Sequence, residues 1–333
     1  MYHRLLDRWD ERRAQRGEAV KEVVPFECGA ALAFPDLAES AGIAAFLERA
    51  EAAAADHAFF DPPDNEHLQV VREGEWIRFP SAMQTETEEN NVVVAKITEG
   101  GAPDQALVIF HHWNASAQQS QIAGFFAKCG ITVVEMALPY HFDRTRPGST
   151  HADYMLGANI GRTLRSVRQA VWDGRMLIGW LKSQGFGEVA VLGMSLGSWV
   201  AGLIAAHDKS VTKASLFLTA GSLADMVWTG RATRAIRESL DGSIDRSQLQ
   251  QAWAPIDQTN HAAKLARQDL ELQIILARRD KVVLPEVSQP FLDKLAHVGA
   301  KPDIVRLNCG HYSLALPPYI LFAGMRLKRL LAG

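Results

Sequence analysis

The sequence predicts an α/β fold with a mostly parallel central sheet and helices on both faces. Three observations predict it. Short, nearly continuous apolar runs such as Ala106–Phe110 and Ile131–Glu135 alternate with longer helical text, the pattern of strands buried on both sides. The run Glu188–Leu192 passes through Gly193-Met194-Ser195-Leu196-Gly197 into the helical text of Trp199–His207, a strand, a sharp turn and a helix in immediate succession. The chain has 333 residues, 47% hydrophobic and 22% charged, which describes an ordinary globular protein, long for one domain and short for two full ones.

Residues 1–65 read as a helical N-terminal extension. Ala41–Ala55 is rich in Ala and Glu with few breakers, and Asp61-Pro62-Pro63-Asp64 ends it. Residues 66–333 form the α/β domain. Glu75–Met83 and Asn91–Ile97 flank the polar tip Gln84–Asn90 and predict an antiparallel hairpin. A strand at Ala106–Phe110 leads to a helix over Ala117–Lys128, and a strand at Ile131–Glu135 precedes a long helix over Leu164–Ser183. After the Ser195 turn and its helix, Lys213–Thr219, Gln273–Ala277 and Asp303–Leu307 supply three more strands. Pro318–Leu330 predicts a last helix, basic at its end where the macrodipole favours cations. Two insertions break this rhythm. Leu138–Gly161 is crowded with Pro, Tyr, His, Arg and Asp, and Gly221–His261 carries helical text around Thr229–Leu240; segments of this length form lids or caps, here a small cap.

Composition removes several classes of function. The 35 basic and 38 acidic side chains give a formal charge of −3, so no global field points to nucleic acid or an anionic membrane. No stretch approaches the roughly 18 uninterrupted apolar residues of a membrane span, and the Arg-, Asp- and Glu-rich Met1–Arg16 lacks the apolar core of a secretory signal. Three widely separated cysteines, Cys28, Cys129 and Cys309, suit a reducing compartment, so a cytoplasmic location is expected. Neither a Gly-x-x-x-x-Gly-Lys-Ser/Thr loop nor a Gly-x-Gly-x-x-Gly after a strand is present, and no cofactor is expected. Oligomeric state is left open.

Chemistry concentrates around Ser195. A Gly-x-Ser-x-Gly turn holds its serine in a strained conformation, where side chains at the flanking positions would collide, and aims a helix N-terminus at any oxyanion forming beside it. A serine alcohol needs a base to take its proton and an acid to orient that base. Asp280 lies just past the strand ending at Ala277, and His311 follows the next strand on the loop Asn308-Cys309-Gly310-His311. Asp225, after the preceding strand, competes for the acid role. The oxyanion donors are expected to be the backbone N–H of Leu196 and, from Phe110-His111-His112-Trp113-Asn114, that of Trp113 or alternatively His112. Adjacent histidines on an extended strand point opposite ways and no carboxylate or cysteine lies at ligand spacing, so no metal site is expected, and His111 is assigned to bracing the loop. Cys309 is assigned to packing.

These motifs, together with Val282-Val283-Leu284-Pro285, resemble those of the α/β-hydrolase superfamily over about residues 75–331. The resemblance implies the α/β-hydrolase fold and a serine hydrolase that cleaves a carboxylic ester through an acyl-enzyme, acting on a small molecule with no nucleic-acid or membrane partner. Thioesters, peptides, acyl transfer and a catalytically inactive binding protein are the alternatives. Leu138-Pro139-Tyr140-His141, with Arg144, Arg146 and Pro147, is similar to an esterase-like branch near acetyl-xylan esterases and dienelactone hydrolases, although a serine nucleophile departs from the latter. Substrate contacts are expected from His112, Tyr140, His141, Arg144 and Arg146, and from Trp228 and Trp253 in the second insertion. Solvation or pinning of the loop is the alternative for Tyr140, His141, Arg144 and Arg146, and cap packing is the alternative for the two tryptophans.

Overall fold

A computed structural model of the chain describes residues 2–18, 21–63, 68–101 and 104–333; the boundary expected between residues 65 and 66 lies outside the described residues. Three helices come first: α1 (Tyr2–Glu18), the single turn α2 (Ala30–Ala33) and α3 (Ile43–Ala55). Then follow β1 (Val71–Glu73), β2 (Trp76–Pro80), β3 (Val92–Thr98), β4 (Gln105–Phe110), α4 (Ser120–Lys128), β5 (Thr132–Met136) and α5 (Ile160–Ser183). The elbow unit is β6 (Glu188–Met194) and α6 (Leu196–His207), succeeded by β7 (Val211–Phe217). The second insertion holds short helices, α7 (Leu223–Thr229), α8 (Arg234–Leu240), α9 (Arg246–Ala252) and α10 (Ala262–Leu265). The chain closes with β8 (Glu271–Ala277), α11 (Pro285–His297), β9 (Asp303–Leu307) and α12 (Tyr319–Leu331).

The nine strands form one sheet in the order β1-β2-β3-β5-β4-β6-β7-β8-β9. The first three pairings are antiparallel and the rest parallel. Alternate residues of the parallel strands feed two separate cores, as the two-residue period of a strand requires. Val108 and Phe110, Val189 and Val191, and Ile274 and Leu276 face α5, α6 and α11, whereas Leu107 and Ile109, Ala190 and Leu192, and Ile275 and Ala277 face α4 and α12. Residues 21–63 share the first core, where Phe34, Phe46, Ala50, Phe59 and Phe60 are buried with the sheet residues. The predicted hairpin is β2 with β3, extended outward by β1, whose three residues are all exposed and give no alternating apolar signal.

Register decides what meets at the carboxyl edge of the sheet. Phe110 pairs with Gly193, so the loop after β4 and the elbow after β6 leave the sheet side by side. Ala277 pairs with Leu307, so the loops carrying Asp280 and His311 do the same.

Candidate active site

Ser195 sits between β6 and α6 with φ 51° and ψ −123°, left-handed backbone that a side-chain-bearing residue rarely adopts. The turn is tight enough to exclude side chains on both flanks. A Cβ on Gly193 would overlap the carbonyl oxygen of Gly197, and one on Gly197 would overlap the carbonyl of Phe110. The two glycines therefore let the elbow close on itself and lie against the end of β4.

A continuous hydrogen-bonded chain starts at this serine. The Ser195 hydroxyl lies 3.1 Å from Nε2 of His311, and Nδ1 of His311 lies 2.8 Å from Oδ2 of Asp280. A carboxylate only accepts, so Nδ1 carries the imidazole proton and Nε2 is the nitrogen free to accept from Ser195. Asp280 is 4% exposed, and its Oδ1 accepts from the backbone N–H groups of Val282 and Val283, each at 2.8 Å. Two backbone donors and one imidazole thus satisfy both carboxylate oxygens inside the protein. Asp225 is engaged elsewhere: its Oδ1 accepts from Arg246 and from Gln250, both at 2.7 Å. Cys309 is fully buried, and burial pushes its thiol up to about 12, which keeps it protonated and inert.

The loop after β4 stands beside the elbow. Leu196 is the first residue of α6, so its N–H has no partner within the helix. His112 to Ala115 form a turn with Asn114 in left-handed backbone, φ 57°, which presents Trp113 at the turn's first corner. Two histidines hold this turn from behind. His111 donates from Nδ1 to the carbonyl of His112 and accepts the N–H of Leu138 at Nε2; His141 donates from Nδ1 to the carbonyl of Pro139 and accepts the N–H of Asn114. Burial pushes both rings well below the usual imidazole range, His141 to about 4, which suits rings that must accept at one nitrogen. Trp113 itself is tied to the first insertion, its indole N–H donating to the carbonyl of Ala152 at 2.9 Å.

Several residues expected to touch substrate are almost sealed from solvent, although Tyr140 and His141 also line a cavity of about 290 Å³ with Asn114, Phe142 and His151. Tyr140, His141, Arg144 and Trp253 are each at most 2% exposed. The reason is a polar interior: Arg144 donates to the carbonyls of Ala137 and Asn90 and to Asp173, and the Trp253 indole donates to the carbonyl of Ile160. Trp228 packs partly against the core, with Arg237 over its ring at 5.8 Å. His112 and Arg146 are only partly buried. Burial first, then the nearby His311, lowers His112 to about 4. Arg146 lines a cavity of about 460 Å³ with Lys21, Trp113, His151, Tyr154 and Ile236. Lys21 was not foreseen: its ammonium lies 4.1 Å from the centre of the Trp113 ring and bonds to the carbonyl of Ala232, and burial lowers it to about 8. Among the described residues no group of three or more His, Cys, Asp or Glu is placed to hold a metal ion, and no helix is long and apolar enough to cross a membrane.

A Gly-x-Ser-x-Gly elbow on the sixth strand, in a mostly parallel sheet with helices on both faces, is the arrangement of the α/β-hydrolase fold, and known structures agree. Acetyl xylan esterase from a Paenibacillus species superposes with a TM-score of 0.56 at 13% identity, covering 95% of this chain and 98% of its own. Acetyl xylan esterase 1 from a Thermoanaerobacterium species gives 0.57 at 16% identity, with 96% and 98% covered. The acylaminoacyl peptidase of Pyrococcus horikoshii gives 0.58 at 12% identity, covering 80% of this chain and 42% of its own. The sequence matches no family profile. Two strains of Mycobacterium tuberculosis each carry an uncharacterized protein 25% identical to it over 175 residues, 51% of this chain and 40% of those proteins, so the match spans less than half of their length.

Proposed function

We propose that this protein is a serine hydrolase that cleaves a carboxylic ester through an acyl-enzyme intermediate. The observation that carries this reading is the unbroken relay from Ser195 through His311 to Asp280, built on a strained elbow. His311 takes the Ser195 proton at Nε2 as the oxygen attacks the acyl carbonyl, and Asp280 stabilises the resulting imidazolium. The N–H groups of Leu196 and Trp113 receive the developing oxyanion. His311 then gives its proton to the leaving alcohol, and a water deprotonated by the same ring releases the acid. An ester asks less of its leaving group than an amide does, and the acetyl xylan esterases that share this fold across nearly the whole chain support the same substrate class. The cavity walled by Trp113, Arg146 and Lys21 is assigned to the substrate, because Trp113 belongs both to it and to the loop beside Ser195.

A fluorophosphonate probe tests the reading directly. It should label the protein and leave Ser195→Ala unlabelled, and the same variant should lose ester turnover by about a thousandfold or more while keeping its fold. A variant that retains over about a tenth of wild-type turnover would refute the nucleophile assignment, since removing a covalent nucleophile costs far more than that.

A further inference from the structure

Helix α1 lies across the two loops that carry Asp280 and His311, and its residues grip both. Residues spaced three or four apart on a helix share one face. His3, Asp7, Asp10, Glu11 and Glu18 use this spacing to reach the body of the protein. Asp7 pairs with Arg279, the residue before Asp280, and Glu11 reaches Lys281, the residue after it. On the other loop, His3 bonds to the side chain of Asn308 at 3.2 Å.

Asp10 makes the closest attachment. Its Oδ1 accepts the backbone N–H groups of Tyr312 and Ser313 at 2.7 and 3.0 Å, and its Oδ2 accepts the Ser313 hydroxyl at 2.5 Å. The same carboxylate fills the space beside Gly310, where a Cβ would come within 2.5 Å of Oδ2. The Ser313 hydroxyl in turn accepts the N–H of Gly310 at 2.8 Å. His311 is therefore bracketed: the residue before it and the two after it are all anchored on Asp10 or on the serine that Asp10 holds.

We propose that Asp10 is a positioning residue, and α1 part of the catalytic apparatus: Asp10 fixes the turn that carries His311, so that Nε2 meets Ser195 while Nδ1 stays on Asp280. This inference rests on reading Ser195, His311 and Asp280 as a catalytic triad. An imidazole that swings by a fraction of an ångström can serve one partner only at the expense of the other. A 1 Å misplacement in a catalytic group costs up to about a hundredfold in rate.

The test uses the full chain with Asp10→Ala, Asp10→Asn and Glu18→Gln. Glu18 pairs with Arg231 and touches neither loop, so it reports the effect of merely loosening α1. Asp10→Ala should lower kcat by about tenfold to a hundredfold with KM nearly unchanged. It should also weaken the downfield proton resonance of His311 Nδ1–H, assigned by its loss in Asp280→Asn. Asp10→Asn keeps an accepting oxygen for Tyr312 and Ser313 and should fall between the alanine variant and the wild type, and Glu18→Gln should match the wild type. Unchanged kcat and resonance in Asp10→Ala, or an equal loss in Glu18→Gln, overturns the proposal. If the wild type takes no probe and cleaves no ester, the hydrolase reading fails, and the resonance alone still decides whether Asp10 positions His311.

Discussion

Arg144 and Asp173 form an ion pair at 2.8 Å with both side chains sealed completely from solvent. Asp173 also accepts the Ser81 hydroxyl at 2.7 Å, while Arg144 donates in addition to the carbonyls of Asn90 and Ala137 and leaves its Nε without a partner among the described residues. The pair ties the first insertion to α5 and to the segment between β2 and β3. Burial pushes the Asp173 carboxyl up, and the guanidinium opposes that shift.

Removing one partner leaves the other charge buried alone, at a cost of about 3–5 kcal/mol. Arg144→Ala should therefore lower the urea midpoint of unfolding sharply, and the double variant Arg144→Met, Asp173→Leu should recover part of the loss. Below its new midpoint, Arg144→Ala should still react with the serine probe. An undiminished midpoint would mean that the pair contributes nothing to the fold, and loss of labelling in still-folded protein would return Arg144 to the active site.

The acid assignment separates cleanly by mutation. Asp280→Asn leaves the shape of the site but upsets the imidazole tautomer, so kcat should fall by on the order of 10³–10⁴ with KM little changed. Asp225→Asn should stay within about twofold, because that carboxylate serves Arg246 and Gln250. The reverse ranking in steady-state kinetics would exchange their roles.

Substrate charge should be read in the cavity beside Trp113. Arg146 is 38% exposed and shared with Asp153 at 3.2 Å, and Lys21 is partly buried with the Glu18 carboxylate as its charged neighbour. Arg146→Ala and Lys21→Met should each weaken hydrolysis of esters bearing an anionic group and spare small neutral esters. A panel of matched charged and neutral p-nitrophenyl esters decides this. Equal losses across the panel would leave both residues with a purely structural part.

Acid should destabilise the protein through its histidines. Burial is the leading cause that lowers His111, His112, His141, His207 and His261 below the ordinary imidazole value. The unfolded chain takes up protons on these rings near pH 6.5, whereas His112 and His141 in the folded chain wait until about 4. Between those values the unfolded state binds more protons, so stability is lost as pH falls. Asp173, Asp257 and Glu135 are shifted upward by burial and act in the opposite sense, with their ordinary values lying below the window where the free histidines titrate. The urea midpoint should therefore drop between pH 7 and about 5.5. A midpoint that holds steady or rises over that interval would show that the buried carboxyls dominate.

The parallel strands were legible because each buries both faces and so reads as a near-continuous apolar run, as in Ala106–Phe110 and Val189–Leu192. Ser195, Asp280 and His311 were legible as candidates because each follows a strand directly, and strand ends converge at one edge of a parallel sheet. Strand β1 was not, since Val71, Arg72 and Glu73 are exposed and carry no alternation. The depth of Tyr140, His141 and Arg144 was not legible for a different reason. A polar cluster in a proline-containing insertion looks solvated, and its burial depends on Asn90 and Asp173, whose positions in space the local sequence does not encode. Asp10 was hidden in the same way, one acid among many on a strongly charged helix.

The bond from Asp10 to Ser313 joins residues 303 apart in the chain. Contacts of such separation repay their loop-closure entropy only after the intervening chain has collapsed. During synthesis α1 is made long before the loop after β9, and Asp10 waits without its partners until that loop has been made. In refolding, the sheet should therefore regain its protection from hydrogen exchange before α1 docks, and competence to react with a serine probe should come last. That order would place a delay between having a fold and having His311 secured against Ser195, so that a partly made chain would hold the serine in place before its histidine.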